Sequence, residues 1–350
     1  MSRLALITGS TGAVVDAVSG ELRGGGWEVR HVPVGADGML HLGVDTRGVE
    51  AVVHVGLRSP RALDERSRAE AEAGAAGAAG RLAREAGVRR FVHLSTVAVY
   101  GAPRNLPCRE GELKAPRTAA ERIRWRAEQA SWAEFRRGAP LVVLRPAIPY
   151  GPTLRGGPLR ALSFVTLFND RRRRVPIVRR GPVAHVVHLE DVAHSVRHVL
   201  EHGDDADVVG RAFNVADDAP LPLGEHLAAA LEALGYQPGR FLPTLPRLTR
   251  AFLWLVRNVP DRILLDRLNA RLGSAWGRLA RRAGIAPEIL PRVDREAMHW
   301  MTADHYYDTS RLASLGWRPR YPISTEAIPA TVRALVEAGA LPRPSEAGAG

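Results

Sequence analysis

One cysteine, Cys108, and one lysine, Lys114, stand in a chain of 350 residues. The first scarcity excludes an internal disulfide and a cysteine-based metal centre, and no other metal site is expected. The second leaves arginine as 48 of the 49 basic residues, a skew that resembles the coding bias of a GC-rich genome. The formal charge of +12 is therefore not by itself a nucleic-acid signature. A nucleic-acid binder needs a basic face built on a reader motif, and the sequence has none. The densest run, Arg171 to Arg174, reads as a solvated loop, although an anionic substrate or membrane surface also suits the charge. Long apolar runs are missing too. No window approaches the ~18 uninterrupted apolar residues of a spanning helix. Leu4 to Ile7, after Met1-Ser2-Arg3, is too short for a secretory core. A cytoplasmic location is expected. Two local absences matter later: no tyrosine lies between Tyr100 and Tyr150, and no asparagine precedes Asn105.

What is present suits a globular protein with a large core, either one big domain or a main domain with a smaller partner. Leu4 to Thr8 reads as a first strand, and Gly9-Ser10-Thr11-Gly12 turns it into a helix near Ala13. Glycines there let backbone approach a pyrophosphate resting on the helix N-terminus. Gly26 to Val34 and Val49 to Gly56 read as further strands, the second a buried one, with His54 a core histidine. A helix follows from Ala62 to Ala86, and its Gly74, Gly77 and Gly80 fit close helix–sheet packing. Phe91-Val92-His93-Leu94 is a short β-forming run whose carboxyl end presents Ser95 and Thr96, where open α/β sheets place their ligands. Those hydroxyls suit the polarising of a substrate carbonyl, or simply the capping of the turn before Tyr100-Gly101. A helix is expected over Arg117 to Arg137, and a third edge strand is barely legible around Met39 to Leu42.

The string Arg90 to Gly101 closely resembles the active-site strand of the extended short-chain dehydrogenase/reductase family, the NAD-dependent epimerase/dehydratase group. Val49 to Gly56 resembles that family's Val-Val-His-Leu-Ala-Ala segment. Leu141 to Pro152 resembles its Leu-Arg-Pro-x-x-x-Tyr-Gly-Pro strand and turn. His185 to Ala193 resembles its His-Val-Asp-Asp-Val-Ala segment. Tyr306 to Ser310 and Leu315 to Pro319 resemble the 3β-hydroxysteroid dehydrogenase branch. The resemblance, over Arg3 to Gly339, implies an α/β fold. Its core would be a Rossmann-like doubly wound parallel sheet, with a smaller, mainly helical C-terminal substrate lobe. Residues 1–150 would form the dinucleotide-binding domain and receive returning segments around 183–216. Residues 151–340 would be mostly substrate lobe with a helical insertion at 241–300, and 341–350 a disordered tail.

The resemblance also implies a site. NAD or NADP would lie across Thr8, Gly9, Ser10, Thr11, Gly12, Gly56 and Arg124. Thr96 with Ser95 would hold the substrate oxygen, and Tyr100, Pro146, Ile148 and His185 would line the substrate. Much of the family's chemistry is replaced. Val15 stands at the third glycine position, where a β-branched residue is expected to push the helix outward. Pro33, Val34 and Gly35 stand where an acidic residue would hold the adenosine ribose, with Asp37 late for that role. Ala120 falls at the catalytic tyrosine position and Arg124 at the lysine position, and arginine cannot relay a proton. Two classes stay open. One is an NAD(P)-dependent oxidoreductase or epimerase acting on a hydroxyl or carbonyl of a small or apolar substrate. The other is a catalytically silent protein binding a dinucleotide or a partner; non-redox isomerisation or cyclisation in the same pocket is a further alternative. A homodimer through the helices at 62–86 and 117–137 is implied. Residues 241–268 suit a lid, a peripheral membrane contact, or helices packed on the lobe.

Overall fold

The computed structural model describes residues 3–35, 45–57, 64–156, 160–169, 174–175, 181–238, 265–286, 288–293 and 303–343. The expected strand at 39–42, Asp37, most of the arginine run at 171–174, the apolar stretches at 252–256 and 263–264, and the C-terminal tail lie outside them. The chain divides into two units. The first comprises Met1–Pro149, Val187–Ala216 and Tyr307–Arg320.

That first unit is built on a six-stranded sheet. Its strands are β1 (Arg3–Gly9), β2 (Trp27–Pro33), β3 (Val49–His54), β4 (Arg90–Leu94), β5 (Leu141–Pro146) and β6 (Arg211–Val215). They run in the order β6-β5-β4-β3-β1-β2, and every pairing is parallel. This is the Rossmann-like doubly wound arrangement. Strands covered on both faces are mostly apolar; β4 and β5 are buried at every residue, Arg90, His93 and Arg145 included. On the edge strand β2, by contrast, Trp27 and Val32 are buried while Glu28 and Arg30 meet solvent.

The helices α1 (Ala13–Gly24), α2 (Glu65–Glu85), α3 (Ala119–Phe135) and α4 (Leu189–Glu201) cover the sheet. α1 packs on α4, and α2 on α3. Phe91 of β4 meets Gly80 of α2 while its neighbour Arg90 reaches Val199 O on α4, so the two pairs cover opposite faces of the sheet. α2 starts where the Asp64 carboxylate accepts the Ser67 N–H. α3 starts with a reciprocal cap, Thr118 accepting the Glu121 N–H and Glu121 accepting the Thr118 N–H. Among the α2 glycines, Gly80 shows the tightest approach. A Cβ there would come within 2.8 Å of Glu134 Cβ on α3 and 3.2 Å of Phe91 on β4. The close packing therefore involves α3 as well as the sheet.

The second unit comprises Tyr150–Val186, Asp217–Tyr306 and Tyr321–Gly350. Its described helices are Arg160–Asn169, Leu223–Ala233, Leu265–Arg282 and Ser324–Glu337. Helices 223–233 and 324–337 pack together, and helix 160–169 contacts both 223–233 and 265–282. In helix 265–282, Leu265, Leu272, Trp276 and Ala280 are buried, and Arg267, Arg271, Arg278, Arg281 and Arg282 are exposed. Among the described residues no helix is long and apolar enough to cross a membrane.

Candidate functional site

β2 lies on one side of β1 and β3 on the other. The carboxyl ends of β1 and β3 therefore flank the switch point at which such sheets bind ligands. The chain there is drawn in tightly. Val55 N–H donates to Thr8 O at 2.9 Å, and Ser10 N–H to Gly56 O at 3.0 Å. Gly9 has φ 130°, and a Cβ on it would stand 2.5 Å from Gly56 O, so only glycine fits. Gly12, with φ 141°, precedes the first turn of α1, and no side chain caps that helix. Its first N–H groups have no intrahelical partner, which is what a phosphate needs. Thr8 turns its hydroxyl inward, 2.9 Å from His54 Nδ1. Ser10 and Gly12 are half-buried and Thr11 exposed. Val15 is buried in α1, which begins at Ala13 all the same.

Arg124, one turn beyond Ala120 on α3, crosses to the end of β3. Its Nη1 would stand 2.5 Å from a Cβ on Gly56 and donates to Glu72 Oε2 on α2 at 3.1 Å. Glu72 also accepts the Leu57 N–H at 3.2 Å. Burial pushes the Glu72 carboxyl above its ordinary value, against the pull of Arg124.

At the end of β4, Ser95 and Thr96 are both half-buried. Ser95 Oγ donates to Glu128 Oε2 at 2.6 Å. Glu128 is fully buried and takes two bonds from Arg145, Nη2 to Oε1 at 2.6 Å and Nε to Oε2 at 3.1 Å. Burial alone would raise the Glu128 carboxyl; Arg145 outweighs it, and the net direction is down. Arg145 Nη1 donates to the Tyr100 hydroxyl at 2.8 Å, which in turn donates to Asn214 Oδ1 at 2.8 Å. Tyr100 is itself buried, and that burial raises its phenol far above neutrality. Thr96 differs. Its Oγ1 accepts the Ala98 N–H at 3.2 Å, capping a short turn, and its own proton bonds nothing among the described residues. Capping and substrate binding are therefore compatible in the one hydroxyl.

Of the other expected residues, Pro146 is buried at the end of β5 and Ile148 is half-buried. His185 is buried in the second unit, its Nε2 2.8 Å from Asp217 O. Lys114 donates to the carbonyls of Glu110 and Glu112, both at 2.6 Å. It lies 5.2 Å from the centre of the Tyr100 ring. Four residues of this neighbourhood went unnoticed in the sequence: Glu72, Glu128, Arg145 as a partner of Glu128, and His31, whose Nε2 is 3.1 Å from Gly9 O. The Leu-Arg-Pro pattern flags the position of Arg145; nothing local flags the other three or any of their partners.

A sequence profile of the NAD dependent epimerase/dehydratase family matches residues 5–216. No curated protein matches the chain at a significant level. Solved structures resemble it across their whole length. A UDP-galactose 4-epimerase has a TM-score of 0.65 at 17% identity, covering 96% of this chain and 99% of its own. A short-chain dehydrogenase/reductase superfamily protein from Agrobacterium tumefaciens with bound NAD has a TM-score of 0.64 at 18% identity, covering 96% and 98%. The Bordetella bronchiseptica enzyme WbmG in complex with NAD and UDP has a TM-score of 0.62 at 17% identity, covering 96% and 94%. At such identities the likeness establishes the fold.

Proposed function

The chain belongs to the NAD-dependent epimerase/dehydratase family, and from that premise we propose that it binds a nicotinamide dinucleotide and acts on a hydroxyl or carbonyl of a small or apolar substrate. The observation that carries this reading is the uncapped α1 N-terminus behind Gly9 and Gly12, with Gly56 closing the other side. A phosphate-sized anion suits that cradle, and its walls leave no room for side chains: a Cβ on Gly9 would meet Gly56 O, and one on Gly56 would meet Arg124. Two structural relatives hold NAD, which supports the same choice. The backbone of Gly9 to Gly12 and the guanidinium of Arg124 would hold the dinucleotide, which supplies a hydride when bound.

The protein's own contribution divides between two hydroxyls. Thr96 keeps its proton available, so it donates to a substrate oxygen and stabilises developing negative charge there. Ser95 donates its hydroxyl proton in a hydrogen bond to Glu128 and offers only lone pairs, so it accepts a bond from a substrate hydroxyl. Proton transfer is the weak point. Ala120 carries no acid, and Tyr100 is held protonated. A missing acid–base group costs ~10²–10⁴-fold, which leaves a slow enzyme. The second reading, a dinucleotide-binding protein without turnover, draws on that same Ala120.

Calorimetric titration with NAD, NADH, NADP and NADPH tests the reading. Saturable micromolar binding of at least one form is expected. A folded protein that binds none of the four defeats it. Turnover of hydroxyl or carbonyl substrates then separates the enzyme from the silent binder.

A further inference from the structure

Arg124 is anchored at only one of its nitrogens. Nη1 is engaged with Glu72, while Nε and Nη2 bond nothing among the described residues, and the side chain keeps 39% of its surface exposed. The Glu72 side chain is only 4% exposed. Its Oε2 is shared between Arg124 and the Leu57 N–H, just past β3. Because a guanidinium is planar and rigid, fixing Nη1 fixes the direction of the remaining donors. A free arginine side chain has rotamer entropy to lose on docking a ligand; here part of that loss is taken in advance.

We propose that Glu72 is a positioning residue that clamps Arg124 across Gly56, so that the open edge of the guanidinium meets the ribose or phosphate oxygens of a dinucleotide on the Gly9–Gly12 turn. This rests on the functional reading above and adds to it a residue from another helix.

The placement of Glu72 suits positioning: its carboxylate engages one guanidinium nitrogen beside Gly56 and leaves the others open. Burial outweighs pairing and raises its carboxyl, so at neutral pH the charged form is less favoured in the folded protein than in the unfolded chain. Cancelling the charge of Arg124 is the competing role, and it predicts the opposite sign: removing the carboxylate would strengthen the binding of an anionic dinucleotide, most at low salt.

Glu72→Gln, Glu72→Ala, Arg124→Ala and the double variant Glu72→Ala/Arg124→Ala separate these roles by calorimetry and urea unfolding. The titrations use the dinucleotide that binds wild type best, at low and high salt. Glu72→Gln is expected to bind about tenfold more weakly at both salt concentrations, as a charge-assisted bond becomes a neutral one, with an unfolding midpoint no lower than wild type. Glu72→Ala is expected to match Arg124→Ala, and the double variant to be no weaker than either, because the two act as a unit. Unchanged or tighter binding in Glu72→Gln and Glu72→Ala, beside a wild type that binds, overturns the clamp alone. A lowered midpoint with unchanged binding does the same and makes the pair structural. A wild type that binds none of the four dinucleotides overturns the functional reading, and the clamp falls with it.

Discussion

Glu128→Ala is expected to lower stability to unfolding by about 3–5 kcal/mol. The cost lies less in the lost pair than in what is left behind. Arg145 is 2% exposed, and its guanidinium, always charged, would keep only the Tyr100 hydroxyl and the Glu110 carbonyl as partners. Ser95 Oγ and Trp132 Nε1 would lose their acceptor as well. Replacing both members, Glu128 and Arg145, by apolar residues of similar volume should recover much of the loss, since well-packed apolar pairs often equal a buried ion pair. Urea unfolding of the single and double variants measures both terms. A single variant within about 1 kcal/mol of wild type would mean that Arg145 reaches water.

Acid is expected to destabilise the protein before most carboxylates titrate. His93 on β4 is buried, with Nδ1 2.9 Å from Ser131 Oγ and its ring 5.4 Å from that of His54. Burial brings its imidazole down to about 4 from 6.5, helped by Arg124 and Arg145 and opposed by Glu128. His54 is lowered too, by burial first, then by His93 and Arg124. As pH falls through 6.5 the unfolded chain takes up protons that the folded core refuses. Stability is therefore full above pH 6.5, declines as pH falls, and stops declining on account of His93 below about 4. A gap of that size is worth about 3 kcal/mol for His93. Unfolding free energies between pH 7.5 and 4 read it directly. His93→Asn should remove about one proton from the slope; an unchanged slope would sink the assignment.

The sheet was legible because its inner strands are short, mostly apolar runs, the pattern of strands covered on both faces. Gly9-Ser-Thr-Gly12 was legible because a tight approach leaves glycine no substitute. Thr96 stood out by its place at a strand end. Glu72, Glu128 and Arg145 did not, for a common reason. Each is buried by a partner on another element, and a pairing 17 or 52 residues apart in the chain has no periodicity to betray it. In a chain where nearly every cation is arginine, a buried arginine also looks like any surface one. Arg90 in β4 and Arg145 in β5 are almost wholly enclosed in the fold.

The near-absence of lysine turns the protein into its own single-site probe. Apart from the N-terminal amine, Lys114 is the one primary amine in the chain. Burial, reinforced by Arg145, brings it down to about 8, so at mildly alkaline pH much of it is unprotonated and nucleophilic. The carbonyls of Glu110 and Glu112 hold it half-buried, so an acylating reagent reacts with it more slowly while that loop is closed. One slow adduct at residue 114, fast in urea, is the expected mass-spectrometric outcome, and its rate becomes a clock for the loop that closes over Tyr100.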